Sequence, residues 1–396
     1  MTAGRSVAGL RIAIVNWRDP WHPEAGGAET YAWEMALGLL RRGARVTFLT
    51  ARGEGQESAQ ARDGIQIVRR GARFTVYPLV LAWLLRRRRD FDAVVDCENG
   101  IPFFTPWAMP RRVPVFCVMH HVHDAQFGVH FPPWMAAVGR VLEGPVARQV
   151  YRRHLTIAVS QSTERAMTER LGWKGPVCII PNGISAKAFG RPAAEPAAAL
   201  PPASVTWVGR MVAHKRVDRV LDVAARLGPA GHVVDVIGRG PASQELADSV
   251  AGRGLAGAVR LRGYLPEESK RAAVAGSALH LNTSQGEGWG LCVIEAAALG
   301  VPTVAYDVDG LRDAVRHGVT GWLVRPGERI EDVTERALKE LDDPARRAEI
   351  ADACRSWAAQ FDWDASAGQL ADLIADATHG TAGPRAAATS GTDRKA

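Results

Sequence analysis

Cysteine is scarce in this sequence: five residues, an odd number, at Cys97, Cys117, Cys178, Cys292 and Cys354. None shares the close paired spacing of a thiolate metal cage or a disulfide framework, so both are excluded and reduced, mostly buried thiols are expected. Long apolar runs are missing as well. The best, Val76 to Leu85, is ten residues long and contains Pro78, about half of what a membrane-spanning helix needs, which excludes an integral membrane protein of that type. Met1 to Gly9 carries one arginine and no apolar core of a secretory leader, so the expected compartment is the cytoplasm. Lysine is rare too, six among 49 cations, and no basic run is interleaved with stacking aromatics. Nucleic acid is therefore not an expected partner.

What remains is a composition for burying ordinary cores. With 396 residues, 47% hydrophobic and 23% charged, the chain is long enough for two domains of about 150 to 200 residues each. Short β-branched runs alternate with helical periods from end to end, the signature of βα units on parallel sheets, and the fold class is α/β. Strands are expected at Arg11 to Trp17, Arg45 to Ala51, Ile65 to Arg69, Asp92 to Cys97, Val113 to His120, Leu155 to Ser160 and Val177 to Pro181. A second series follows at Ser204 to Gly209, His232 to Gly238, Val259 to Gly263, Ala278 to Thr283, Thr303 to Tyr306 and Gly321 to Val324.

Between the series, Pro192, Pro196, Pro201 and Pro202 break both helix and strand. The expected organisation is a first domain over 1–188, a linker over 189–203, a second domain over 204–360, a helix over 361–378 returning to the first domain, and a disordered tail over 379–396. The first 190 residues hold 25 basic and 15 acidic side chains, the remainder 24 and 27, so the basic charge belongs to the first half. Tandem βα domains place a ligand site where strands end, and function is sought in the loops that follow them.

Three such loops carry chemistry. Gly26-Gly27 precedes the first helix, where free amides and a positive dipole end suit an anion, or where a tight turn simply needs glycine. Gly209-Arg210 with Lys215 places two cations on a strand-to-helix loop; they fit a diphosphate or form a solvated pair. The most specific is Glu287-Gly288-Trp289-Gly290-Leu291 running on to Glu295. Two glutamates flank glycines at a helix start, and Glu295 lies in an otherwise apolar helix where a carboxylate needs partners. His120, at a strand end with His121 and His123 close behind, completes the set. A zinc site there lacks a fourth ligand other than Asp124, and Asp307-Val308-Asp309 reads as a plain loop, so no metal is expected.

Taken in order, Gly26-Gly27-Ala28-Glu29, His120, Ile180-Pro181-Asn182-Gly183-Ile184, Gly209-Arg210 with Lys215, Gly238-Arg239-Gly240-Pro241, and Glu287 to Glu295 followed by Gly300-Val301-Pro302 resemble the retaining glycosyltransferases of family 4 over nearly the whole chain. The resemblance implies the GT-B fold, two Rossmann-like domains facing each other across a cleft, with acceptor binding in the first and nucleotide-sugar binding in the second. It implies that Arg210 and Lys215 hold the donor diphosphate and that Glu287 with the Gly288, Trp289, Gly290 and Leu291 amides binds sugar hydroxyls. Glu295 would take the ribose. Arg239, Gly240, Tyr264 and Leu265 would line the base pocket, Gly26 and Gly27 would face the phosphate, and His120 would contact the transferring sugar. The catalytic set is then His120, Glu287, Arg210 and Lys215, without a metal or a cofactor beyond the nucleotide-sugar co-substrate.

A dinucleotide oxidoreductase fails for want of Gly-x-Gly-x-x-Gly after the first strand. The alternatives within the fold are a sugar-nucleotide epimerase and a non-catalytic sugar-binding protein. The expected donor is a UDP-sugar, with a GDP-sugar the other choice, and the acceptor is a small molecule or a lipid-linked envelope glycan. The arginine run Arg86 to Arg89 behind apolar Val80 to Leu85, and the segment Trp134 to Arg153, suit peripheral contact with a membrane or, equally, a core helix with a solvated basic end.

Overall fold

The computed structural model describes residues 6–22, 24–185 and 204–380. The linker expected at 189–203 and all but the first two residues of the tail expected at 379–396 lie outside the described residues. The chain forms two compact units, Met1–Pro181 with Asp364–Ala396, and Asn182–Trp363.

The first unit is built on an eight-stranded sheet. Its strands are β1 (Arg11–Val15), β2 (Arg45–Thr50), β3 (Ala59–Arg62), β4 (Ile65–Arg69), β5 (Ala93–Glu98), β6 (Val115–Met119), β7 (Leu155–Ala158) and β8 (Val177–Ile179), in the order β3-β4-β2-β1-β5-β6-β7-β8. All neighbours are parallel except β3, which runs antiparallel to β4 at the edge. Every residue of β5 and β6 is buried, as expected of parallel strands covered by helices on both faces. The second unit has six parallel strands: β9 (Val205–Val208), β10 (Val234–Ile237), β11 (Val259–Gly263), β12 (Leu279–Asn282), β13 (Thr303–Tyr306) and β14 (Gly321–Val324), ordered β11-β10-β9-β12-β13-β14.

In both sheets the strand order reverses once, between β1 and β5 in the first and between β9 and β12 in the second. At such a switch point the connections leave in opposite directions and open a crevice at the strands' carboxyl ends. The loops that carry Gly26, Arg210, Lys215 and Glu287 all follow one of these four strands.

The chain crosses between units at Pro181–Asn182, ahead of residue 188, because the Ile184 amide donates to the Phe361 carbonyl at 3.0 Å. Gly183 also lies so close to the Asp362–Trp363 backbone that a β-carbon would overlap it at 2.3 Å. The second crossing, at Trp363–Asp364, starts the helix Trp363–Thr378, which joins the first unit. Arg42 holds its Asp364 at 3.0 Å, Ala367 seats directly over Gly38 of the helix Gly27–Arg41, and the Ser366 hydroxyl donates to the Pro181 carbonyl at 2.8 Å.

The segment Trp134 to Arg153 is not one regular helix. It runs as Pro133–Val141, a π-helical turn Leu142–Val146 containing Pro145, and Ala147–Tyr151. Among the described residues no helix is long and apolar enough to cross a membrane.

Candidate functional site

In the second unit, glycines bring backbones together at the carboxyl ends of β9, β10 and β11. Gly238 takes a φ of +135°, and a β-carbon there would meet the Gly209 carbonyl oxygen at 1.9 Å; at Gly240 it would meet the Met211 carbonyl at 2.4 Å. No larger residue fits either position. This close approach seats the two loops side by side and sends Arg210 and Arg239 to the surface. Arg239 lies over the exposed Tyr264 ring with 5.0 Å from guanidinium to centroid, so two residues expected at a base pocket are brought together across neighbouring strands. Gly240 acts through its backbone, donating to Ser243 Oγ at 2.9 Å, and Leu265 is half-buried.

The loops after β9 and β12 meet at Lys215 and Glu287, which form an ion pair on Glu287 Oε1. The Ser284 hydroxyl donates to the same oxygen at 2.7 Å, and the Thr283 hydroxyl donates to the Lys215 carbonyl at 2.7 Å, locking one loop to the other. Burial disfavours both charges, yet their mutual attraction prevails: Glu287 is held below the ordinary carboxylate range and Lys215 above the ordinary amine range. The positive charge of Arg210, earlier on the same loop, acts against Lys215 protonation. Behind Glu287, its amide donates to the Asp309 carbonyl at 2.9 Å. Asp307 and Asp309 are both held by Arg312, at 2.9 and 3.2 Å.

The helix Leu291–Ala298 starts at Gly290, whose φ of +87° turns the chain so that the helix's first amides point out of its N-terminus. Gly288 and Leu291 flank that turn. The Trp289 ring is buried edge-on against Phe361, centroids 4.8 Å apart, which anchors the loop whose amides are the expected ligand groups. Glu295, one face along the helix, is paired with Lys270 at 3.3 Å. Burial raises the Glu295 carboxyl above its usual range, opposed by the Lys270 charge. Lys270, on the helix Glu267–Ala275, was not recognised from the sequence; its signal was faint, one lysine in a polar helix among six in the chain.

In the first unit, Gly26 caps the helix Gly27–Arg41, and its amide donates to Glu29 Oε2 at 2.7 Å. Glu29 is buried and meets Arg18 at 3.3 Å. A β-carbon on Gly27 would meet nothing within 4 Å, so packing does not require that glycine. His120 directly follows β6. It is buried, its ring lies edge-on to Tyr31 with centroids 5.1 Å apart, and its Nε2 has no hydrogen-bond partner. Burial, reinforced by the nearby His123, pushes its pKa down to about 3, so the imidazole is neutral at ordinary pH.

Two α/β units with these strand orders, and ligand-type loops at each switch point, define a GT-B fold. A family model described as Glycosyltransferase Family 4 matches residues 25–187, and one described as Glycosyl transferases group 1 matches residues 194–357. The chain belongs to glycosyltransferase family 4. It is similar to a D-inositol 3-phosphate glycosyltransferase of Streptomyces bingchenggensis, 30% identical over 95% of this chain and 90% of that one. Three further curated relatives are matched over only 23%, 31% and 44% of their own lengths. Among solved structures, sucrose-phosphate synthase from Thermosynechococcus elongatus superposes with a TM-score of 0.74 at 18% identity, covering 92% of this chain and 98% of that one. Anabaena HepE in complex with UDP-glucose does so with a TM-score of 0.71 at 19% identity, over 92% and 99%.

Proposed function

We propose that this protein transfers a sugar from a nucleoside diphosphate donor, with a UDP-sugar favoured over a GDP-sugar, to an acceptor hydroxyl, with retention at the anomeric carbon and without a metal. The observation that carries the reading is the cluster of Arg210, Lys215 and Glu287 at the carboxyl ends of β9 and β12. As the anomeric carbon leaves the diphosphate, negative charge grows on the phosphate oxygens, and two fixed cations stabilise that state more than the ground state. The ion pair keeps Lys215 protonated for the task. Lys215 and Ser284 converge on Glu287 Oε1, and Oε2 accepts from a sugar hydroxyl. The first amides at Gly290 and Leu291 bind further hydroxyls, Glu295 the ribose, and Arg239 with Tyr264 the base. HepE, a neighbour of the same fold solved with UDP-glucose, supports the choice of uridine.

Within the first unit, neutral His120 offers its unpartnered Nε2 to a hydroxyl of the transferring sugar, and the Gly26-Gly27 loop faces the phosphate. The acceptor hydroxyl attacks the anomeric carbon on the face the diphosphate leaves; the C–O bond to phosphate breaks as the new one forms, and the leaving phosphate oxygen takes the acceptor's proton. Glu287 and Glu295 are ligand-binding groups, not an acid and nucleophile pair. The acceptor is a small natural product or a lipid-linked envelope glycan. Exposed Leu79 and Leu85, on the helix Val76–Arg86 that runs into the exposed arginines up to Arg89, support contact with an anionic membrane surface.

The test is a screen of UDP- and GDP-sugars for slow hydrolysis and thermal stabilisation. One uridine donor is expected to be cleaved and to raise the melting temperature, with anomeric configuration kept in the transfer product. A chain that neither binds nor cleaves any nucleotide sugar would refute the reading.

A further inference from the structure

Three carboxyl groups are fully buried beneath the loops that follow β5 and β6: Asp96, Glu98 and Glu143. Asp96 is fully accounted for. It accepts from the Phe103 and Thr105 amides, both at 3.1 Å, from the Thr105 hydroxyl at 2.8 Å and from the Tyr151 hydroxyl. It fastens the chain that follows β5 and belongs to the scaffold. Glu98 and Glu143 are different. Neither oxygen of Glu98 has a partner, and Glu143 keeps Oε2 unpartnered while Oε1 accepts from the His123 main-chain N–H at 2.5 Å and faces His123 Nδ1 at 3.5 Å.

Glu143 stands in the π-helical turn Leu142–Val146. A turn of that width adds a residue to the helix and re-aims a side chain, and such turns concentrate at functional sites. Here it turns a carboxylate inward, onto the loop between β6 and the helix Asp124–His130, three residues after His120. The same loop is held from its other end by the Phe127 amide, which donates to the His123 carbonyl at 3.0 Å. On its opposite side, the His120 ring rests on Tyr31, itself held by a bond from its hydroxyl to the Ile180 carbonyl at 3.3 Å.

We propose that Glu143 is a positioning residue for the transfer reaction: by holding the His123 backbone it fixes the loop that aims the His120 imidazole at the sugar. The inference rests on the glycosyltransferase reading above. Glu98 follows from the same arrangement. Burial, then the neighbouring charges of Glu143 and Asp96, hold its carboxyl far above the ordinary range, and Glu143 is the one of the two that reaches the His123 main chain. The other titratable groups in contact with the loop are His121, whose ring meets His123 at 5.3 Å, and Asp124, which the Arg170 guanidinium holds; neither replaces the bond to the His123 amide.

The test compares Glu143→Gln and Glu143→Ala in the full chain. Glutamine retains an oxygen for the His123 amide, so Glu143→Gln should keep turnover within about threefold of wild type. Glu143→Ala should lose turnover by about ten- to hundredfold with KM for the nucleotide sugar and affinity for bare UDP unchanged. The imidazole NMR signals of His120 give a readout independent of turnover and should move in the alanine variant and not in the glutamine one. Turnover equal to wild type in Glu143→Ala, or a loss shared equally by turnover, UDP affinity and melting temperature, would overturn the proposal. So would unmoved His120 signals in Glu143→Ala. A wild-type protein without any donor cleavage refutes the enzyme reading instead, and the NMR comparison still decides whether Glu143 fixes the loop.

Discussion

Replacing Lys215 by methionine separates two roles that the ion pair with Glu287 combines. The Lys215 and Glu287 side chains retain 17% and 16% of their exposure, between a surface pair, worth about 0 to 1 kcal/mol, and a buried pair, where loss of one partner costs about 3 to 5 kcal/mol. Ser284 still donates to the stranded carboxylate, so about 2 to 3 kcal/mol is expected. For a domain of this size that corresponds to a fall in Tm of about 4 to 12 °C. Glu287 is held low and Lys215 high, so the pair's contribution is lost only as pH falls below the unfolded carboxylate range or rises above the unfolded amine range. The deficit of the variant should therefore be constant across neutral pH. Adding Glu287→Gln removes the stranded charge and should restore most of the lost stability, yet transfer should stay depressed, because both the cation and the carboxylate have gone from the donor. Differential scanning fluorimetry and donor turnover measure the two. If Lys215→Met leaves Tm unchanged, the pair is not formed; if the double variant regains turnover, Lys215 does not stabilise the leaving phosphate.

Glu295→Ala removes a charge-assisted acceptor worth about 1.5 to 3 kcal/mol, so calorimetry should show UDP binding weakened by about ten- to hundredfold, and unaltered binding would remove Glu295 from the donor site. His120→Gln should reduce turnover while sparing UDP affinity, with His121→Ala doing less; the reverse order would assign the role to His121. The same variant has a pH signature: with its pKa about 3 when folded, His120 is protonated more readily in the unfolded chain, so wild-type stability should drain away as pH falls from about 6.5. Urea titrations should show a shallower decline for His120→Gln. EDTA should leave turnover intact; abolition by chelator with recovery on adding a divalent ion would contradict the metal-free reading.

The frame of the molecule was legible because its parallel strands are short β-branched runs with ends marked by glycine or by a polar residue. Val259–Gly263, Thr303–Tyr306 and Gly321–Val324 fall where the sequence puts them. The exception is β3, Ala-Gln-Ala-Arg, wholly exposed and without a β-branched residue; it is a strand only because β4 offers it an edge to pair with. Loop residues read well where one chemistry forces them, as the glycines at 238 and 240 are forced by contact with another backbone. Lys270 and Glu143 did not read, since each acquires its role from a partner distant along the chain, Glu295 in one case and His123 in the other. Glu98 left a visible trace, a second acid after Asp96 in the otherwise apolar strand Ala93–Glu98, but the sequence does not announce which of the two lacks a partner.

The chain enters the second unit after Pro181 and leaves it at Trp363, and within that unit the two ends lie side by side, joined by the bond from Ile184 to Phe361. The second unit is thus an insertion with paired ends, and it can be exchanged between relatives as a cassette. Both joints have to be cut at the same level. A chimera made by a single cut, replacing everything after residue 181, would import a foreign terminal helix and lose the match between Ala367 and Gly38 and between Asp364 and Arg42. Recombining the two units between relatives therefore requires returning the native residues from Asp364 onward to their own first unit.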